Sequence, residues 1–186
     1  HTQSGTPTGG MGYGISGDGE VMIIGAPASV VGAQNYSGLA RIYRRDGGGN
    51  WWLEAELTAD VPDPNDWYGM SVAISGDTAV VGAHVIATVY FYQRNDAGTW
   101  TLQQKINRSG RFGQQLALSG DSLIVGAPSD DTFYEDSGAA YVFTRDGSGV
   151  WSEQAKLYAS DPDTWEYFGV SVGISGDTAI AGAPRD

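Results

Sequence analysis

The sequence predicts an all-β chain: a β-propeller of four-stranded antiparallel blades, with three complete blades and the inner hairpin of a fourth. Three observations carry this. Ser-Gly-Asp occurs four times, at residues 16–18, 75–77, 119–121 and 175–177. Each copy follows an aromatic-Gly pair (Tyr13-Gly14, Tyr68-Gly69, Phe112-Gly113, Phe168-Gly169) and precedes an apolar run ending in Gly-Ala, with Gly25, Gly82, Gly126 and Gly182 spaced 57, 44 and 56 residues apart. No window keeps a 3.6-residue apolar period, so helix is not expected. A four-strand unit recurring every 40 to 60 residues is the signature of propeller blades.

The elements of one unit follow in order. Residues 168–174 and 177–184 are short runs of small and β-branched residues joined at a Ser-Gly turn, the pattern of a buried hairpin. A loop precedes an alternating strand around Ala139–Phe143; a turn at Arg145-Asp146-Gly147-Ser148-Gly149 leads to a last strand starting at Trp151. Glycines allow the inner strands to crowd together around an axis. A Trp opening each outer strand (Trp51 or Trp52, Trp100, Trp151) is placed to cover the gap between neighbouring blades. A β-sandwich or solenoid of the same hairpins is the alternative, but sandwiches seldom repeat a motif so faithfully.

This places one propeller segment over residues 1–186, with blades at about 10–60, 68–109 and 111–161 and a partial blade at 168–186. Residues 1–10 read as the loop leaving an outer strand. Blade two departs from the others: His84 replaces the Pro after Gly-Ala, and the long loop before the third strand and the loop before Arg111 are both missing.

The string from Phe168 to Pro184 (FGVSVGISGDTAIAGAP) resembles the FG-GAP repeat of integrin α-chain propellers and many secreted bacterial proteins, and blade three continues it through Ser137–Phe143, Trp151 and Gln154–Leu157. The resemblance implies an extracellular or cell-surface propeller that binds or builds rather than catalyses. It also implies closure with about seven blades, so three and a half blades suggest a part of a longer chain, or copies that pair edge to edge. Integrin-like repeats often carry an Asp-rich calcium loop between the first two strands; here that loop has shrunk to Ser-Gly-Asp.

Composition narrows the function classes. Ten Lys and Arg against 22 Asp and Glu give a net charge of −12, which argues against nucleic acid and anionic lipid as partners. The chain has no Cys, which excludes disulfides and thiolate chemistry. No apolar run reaches the length needed for membrane insertion.

Four acids, Asp130, Asp131, Glu135 and Asp136, form the strongest candidate for Ca²⁺, the one cofactor weighed; Asp60 with Asp63 and Asp66, and Asp161 with Asp163, are further acidic loops. The same residues suit ordinary solvated turns. Asn35 and Asn107 each begin a glycosylation sequon. Trp67 and Trp165, in acidic loops, are candidates for stacking on a sugar or anchoring a protein partner, while Trp51, Trp100 and Trp151 suit packing. No catalytic residue is expected. The GxGxxG match at 12–17 lacks a following helix, and Ser171 in a GxSxG match sits within a strand with Ser71 as its repeat counterpart. His1 and His84 are the only histidines.

The expected function is adhesion, or a structural role in a larger assembly or filament, with protein partners that are other copies or the rest of a longer chain. A carbohydrate-binding lectin is the alternative. A hydrolase on a propeller scaffold is the weakest reading.

Overall fold

A computed structural model describes residues 11–185. They form fourteen strands and no helix. Blade one contains β1 (Ile15–Asp18), β2 (Val21–Ala26), β3 (Leu39–Arg45) and β4 (Trp51–Leu57); blade two β5 (Ser71–Ser75), β6 (Thr78–Ala83), β7 (Thr88–Arg94) and β8 (Trp100–Asn107). Blade three contains β9 (Gln115–Ser119), β10 (Ser122–Ala127), β11 (Ala139–Arg145) and β12 (Trp151–Leu157), and β13 (Ser171–Ser175) with β14 (Thr178–Gly182) is the fourth hairpin. Each sheet is an antiparallel meander in chain order. The innermost strands β1, β5, β9 and β13 touch in succession, as blades do around an axis. The expected fold is therefore what the chain adopts. The reading of residues 1–10 as a leading loop lies outside the described residues.

The core lies between blades rather than within one. Successive strand residues face opposite sides, so β7 sends Tyr90 and Tyr92 toward blade one and Val89 and Phe91 toward blade three. One layer joins Ile23, Ile42, Tyr68, Val72 and Val81; the next joins Phe91, Phe112, Leu123, Tyr141, Phe143 and Trp151. The glycines of the Gly-Ala pairs set the spacing. A Cβ at Gly126 would overlap the carbonyl oxygen of Gly169, and one at Gly25 that of Gly69. Only hydrogen fits where neighbouring blades cross.

The register of blade one corrects the motif alignment. Gly69, Gly113 and Gly169 each donate their N–H to the Gly of the Gly-Ala pair in the same hairpin; in blade one this donor is Gly12, not Gly14. The equivalent of Tyr68-Gly69 is thus Met11-Gly12, and Tyr13 is exposed. The turn follows suit: β1 extends through Ser16, Gly17 and Asp18, and Gly19 and Glu20 make the turn. In the other hairpins the turn falls at Gly76-Asp77, Gly120-Asp121 and Gly176-Asp177, as the motif implies. Asp18 has become a tie, its Oδ2 accepting the Gly76 N–H at 2.7 Å, and Ser16 Oγ accepts the Ile74 N–H at 3.1 Å.

The two loops missing from blade two are missing for one reason. In blade one the Asn65, Trp67 and Tyr68 N–H groups donate to the carbonyls of Asn35, Tyr36 and Ser37. In blade three the N–H groups of Trp165, Tyr167 and Phe168 donate to those of Glu135, Asp136 and Ser137. Each long β2–β3-type loop is clasped by the loop leaving its own blade. Shortening one would orphan the other's backbone groups, so both shrink together, leaving Arg108 N–H on Ala87 O at 3.1 Å.

Candidate functional site

The clasp decides what the sequence-predicted residues can do. Residues 65, 67, 165 and 167 all have positive φ, between 55° and 66°, with Tyr36 at 57° and Asp136 at 50°. Non-glycine residues hold this strained region only where surrounding bonds enforce it. In this register Trp67 matches Tyr167, and Trp165 matches Asn65, so the two candidate tryptophans are not counterparts. Trp67 stacks on Tyr36 with ring centroids 6.0 Å apart and is half-buried. Trp165 stays 49% exposed.

The four-carboxylate cluster is not assembled, a correction to the expected calcium site. Asp130 is buried, and its two oxygens accept Lys156 Nζ at 2.9 Å each, together with Tyr141 O–H at 2.9 Å and Thr132 Oγ1 at 2.5 Å. Burial raises its pKa, but the bonds from Thr132, Lys156 and Tyr141 outweigh this and hold it below the usual carboxylate range. Asp131 Oδ1 instead accepts the Asp136 N–H at 2.7 Å. Glu135 is exposed and serves the clasp through its carbonyl. Among the described residues no three His, Asp or Glu side chains converge as a metal would require.

The two sequons differ. Asn35 is exposed, although Ser37 of its sequon is buried and bonded to Gln34 O and Val31 N–H. Asn107 Nδ2 donates to Ile86 O at 2.8 Å and Thr88 Oγ1 at 2.9 Å, so its amide already closes the short β6–β7 turn. Ser71 is a structural tie, as its repeat position implied: its Oγ donates to Gly113 O at 2.6 Å. His84 is half-buried, and burial with the nearby Arg111 charge lowers its pKa.

The features that sequence reasoning missed lie at the junctions. Glu54 is the extra residue of a β-bulge in β4, and its side chain is 3% exposed. It accepts Arg44 Nε at 2.8 Å, Arg94 Nε at 3.0 Å and Trp100 Nε1 at 3.1 Å, joining blade one to blade two. Burial pushes its pKa up, and the bonds from Arg44 and Trp100 more than reverse this. Between blades two and three the contact is different. Gln104 Nε2 donates to Trp151 O at 2.8 Å and its Oε1 accepts the Trp151 N–H at 2.9 Å. Trp151 is buried against Phe91 with ring centroids 5.2 Å apart. Nothing in the strand sequence sets Glu54 apart from Glu56, which falls on the same alternating face.

The outer-strand tryptophans therefore split. Trp100 and Trp151 pack on the preceding blade, but Trp51 is 43% exposed, contrary to the expected packing. Its neighbours behave alike. Ile15 and Leu53 occupy the positions of Val72 and Leu102, which pack against blade one, yet both are exposed. Among the described residues nothing packs on this junction face of blade one.

Two solved structures share the fold. A protein from Lactobacillus plantarum superposes with a TM-score of 0.62 at 14% identity over 92% of this chain and 48% of that one. Sqt1 from Chaetomium thermophilum gives a TM-score of 0.55 at 14% identity over 81% of this chain and 37% of that one. The chain thus spans about half the length of the first and less of the second. No curated protein matches it by sequence. The profile of the FG-GAP repeat matches residues 51–98, 100–143 and 151–186, more than half of the sequence, and the chain belongs to the FG-GAP repeat family.

Proposed function

We propose that this chain is an extracellular FG-GAP module that acts in adhesion or as a structural subunit, joining further blades through its uncovered junction faces. One observation carries the reading. Ile15, Trp51 and Leu53 are exposed at positions where Val72, Trp100 and Leu102 are packed against a neighbouring blade. At the other end Ile180, in the position of the buried Val80, is 68% exposed. Large apolar side chains grouped on one face mark an interaction surface. The occupant that fits is another blade, from a second copy or from the rest of a longer chain. The exposed Asn35 sequon and the absence of Cys accord with an exported protein.

The test is association measured by light scattering and electron microscopy across a concentration series. Oligomers or filaments are expected from the native sequence, and a double variant, Ile15→Lys with Trp51→Glu, should remain monomeric with unchanged circular dichroism. A compact monomer at all concentrations would overturn the assembly reading. A carbohydrate-binding role is the second reading, favoured by Trp165, which offers an exposed ring on a loop whose backbone is bonded to Glu135. A glycan array without hits, or hits unaffected by Trp165→Ala and Trp67→Ala, would remove that support.

A further inference from the structure

One contact is repeated at all three junctions among the described residues. A Cβ at Gly25, Gly82 or Gly126 would overlap the carbonyl oxygen of Gly69, Gly113 or Gly169, the glycine that leads into the next hairpin. Each slot exists only because its glycine has no side chain. At the second junction Ser71 Oγ also donates to that Gly113 carbonyl, at 2.6 Å. An apolar trio lies beside the glycine pair: Ile23 with Tyr68 and Val72 at the first junction, Val80 with Phe112 and Leu116 at the second. All of these groups belong to inner hairpins or to the residues leading into them.

The fourth hairpin repeats the slot. Gly182 pairs with Ser171 as Gly82 pairs with Ser71. Ser71 is buried, but Ser171 is exposed, and among the described residues a Cβ at Gly182 would meet only Ser171 Oγ. Ser171, Val172, Ile180, Ala181 and Gly182 line a groove of about 220 Å³ there. The matching insert lies in front of blade one. Gly12 has a φ of 91°, against 87° to 88° for Gly69, Gly113 and Gly169, so the same backbone conformation presents its carbonyl. A Cβ at Gly69 would overlap Leu39 O, whereas at Gly12 the nearest described atom would be Ile15 Cδ1 at 3.9 Å. Met11, Ile15 and Ile180 hold the positions of Tyr68, Val72 and Ile23. They are 43%, 65% and 68% exposed, where their counterparts are at most 5% exposed.

We propose that the slot at Gly182 and Ser171 takes the Met11-Gly12 turn of a second copy of this chain, so that copies join head to tail. This rests on the assembly reading above and adds the partner, the polarity and the atoms that select it. One chain carries both halves of the contact, in the geometry its own three junctions use, and this favours a second copy as the occupant. In the joint Gly12 O lies over Gly182 and accepts the Ser171 O–H, while Met11 and Ile15 cover Ile180. Each copy contributes a different face, so the contact is heterologous and leaves a slot and an insert for further copies.

Sedimentation velocity of the whole chain across a concentration series tests this. The native protein should associate. Gly182→Ala combined with Ser171→Ala should not, because the new Cβ meets the incoming carbonyl. The second change removes the one side-chain atom that this Cβ would touch within the chain, and Gly182 has no positive φ. The variant should therefore keep its circular dichroism spectrum and melting temperature. Ser171→Ala alone loses one hydrogen bond and should weaken association about three- to tenfold. The decisive sample mixes two variants that are each monomeric alone. Ile15→Lys with Trp51→Glu keeps its slot, and Gly182→Ala with Ser171→Ala keeps its insert, so together they should form a one-to-one dimer and nothing larger. Native-strength association of either slot variant, or a mixture that stays monomeric, would overturn the head-to-tail joint while leaving association itself standing. A native chain that is monomeric throughout would overturn the assembly reading and the joint together.

Discussion

Glu54 Oε2 accepts the indole N–H of Trp100 at 3.1 Å, and the same carboxylate binds Arg44 within its own blade and Arg94 across the junction. Its removal leaves two guanidinium groups, each about a quarter exposed, with only the more exposed and more distant Asp77 carboxylate, 3.6 and 3.9 Å away, between them. Glu54→Ala should cost about 2–3 kcal/mol, below the full penalty for a fully buried pair. Glu54→Gln, which keeps an acceptor for Trp100, should cost about 1–2 kcal/mol. Urea unfolding of both variants measures this. Because the folded-state pKa of Glu54 is depressed, its contribution is present above the ordinary carboxylate range and is lost as pH falls through the folded value.

Lys156 and Asp130 give a second, sharper pH signature. Lys156→Met leaves a buried carboxylate without its cation and should cost about 2–4 kcal/mol at neutral pH. In that variant burial acts unopposed by Lys156, and the Asp130 pKa rises. The deficit relative to the native protein should therefore shrink as pH falls through the variant's raised value. Thermal melts at pH 7 and pH 4 check the sign.

Asp66 behaves in the opposite sense. It is buried in the clasp, its Oδ2 accepts the Asp63 N–H at 2.9 Å, and burial raises its pKa. A carboxyl with a raised folded pKa destabilises the fold at pH values above that pKa. Asp66→Asn keeps a carbonyl acceptor and removes the charge, so it should raise the melting temperature at pH 7. The gain should vanish below the unfolded value of about 4.

Gly126 and Gly147 separate close approach from simple turn preference. Gly126→Ala drives a Cβ into the Gly169 carbonyl and should cost at least about 3 kcal/mol or prevent folding. Gly147 has open space and no positive φ, and Gly147→Ala should stay within about 0.5 kcal/mol. Unfolding midpoints of the two variants distinguish them directly.

Much of this architecture was legible in the chain because it is local and repeated. Alternation, turn glycines and the Gly-Ala pairs specify a four-stranded unit without knowledge of its neighbours. Even the slip in blade one left a trace: aromatic-Gly to Gly-Ala spans 13 residues in the other three hairpins but 11 from Gly14 to Gly25. That difference marks Gly12 as the true counterpart.

The sequence by itself determined the blade: its strands, its turns, and the positions where only Gly lets two backbones cross. Tertiary structure alone decided what each repeated position does. Trp51 and Trp151 share a place in the blade, yet one is exposed and the other buried, because burial there depends on the preceding blade and not on the strand. Asp130 looked like a cation ligand until Lys156, 26 residues away, was folded onto it. Glu54 and Gln103 occupy one bulge position in neighbouring blades, yet Glu54 bonds across its junction to Arg94 and Trp100 while Gln103 folds back onto Thr101 of its own strand. Local pattern is carried by neighbours in sequence; burial, charge pairing and cavities belong to neighbours in space.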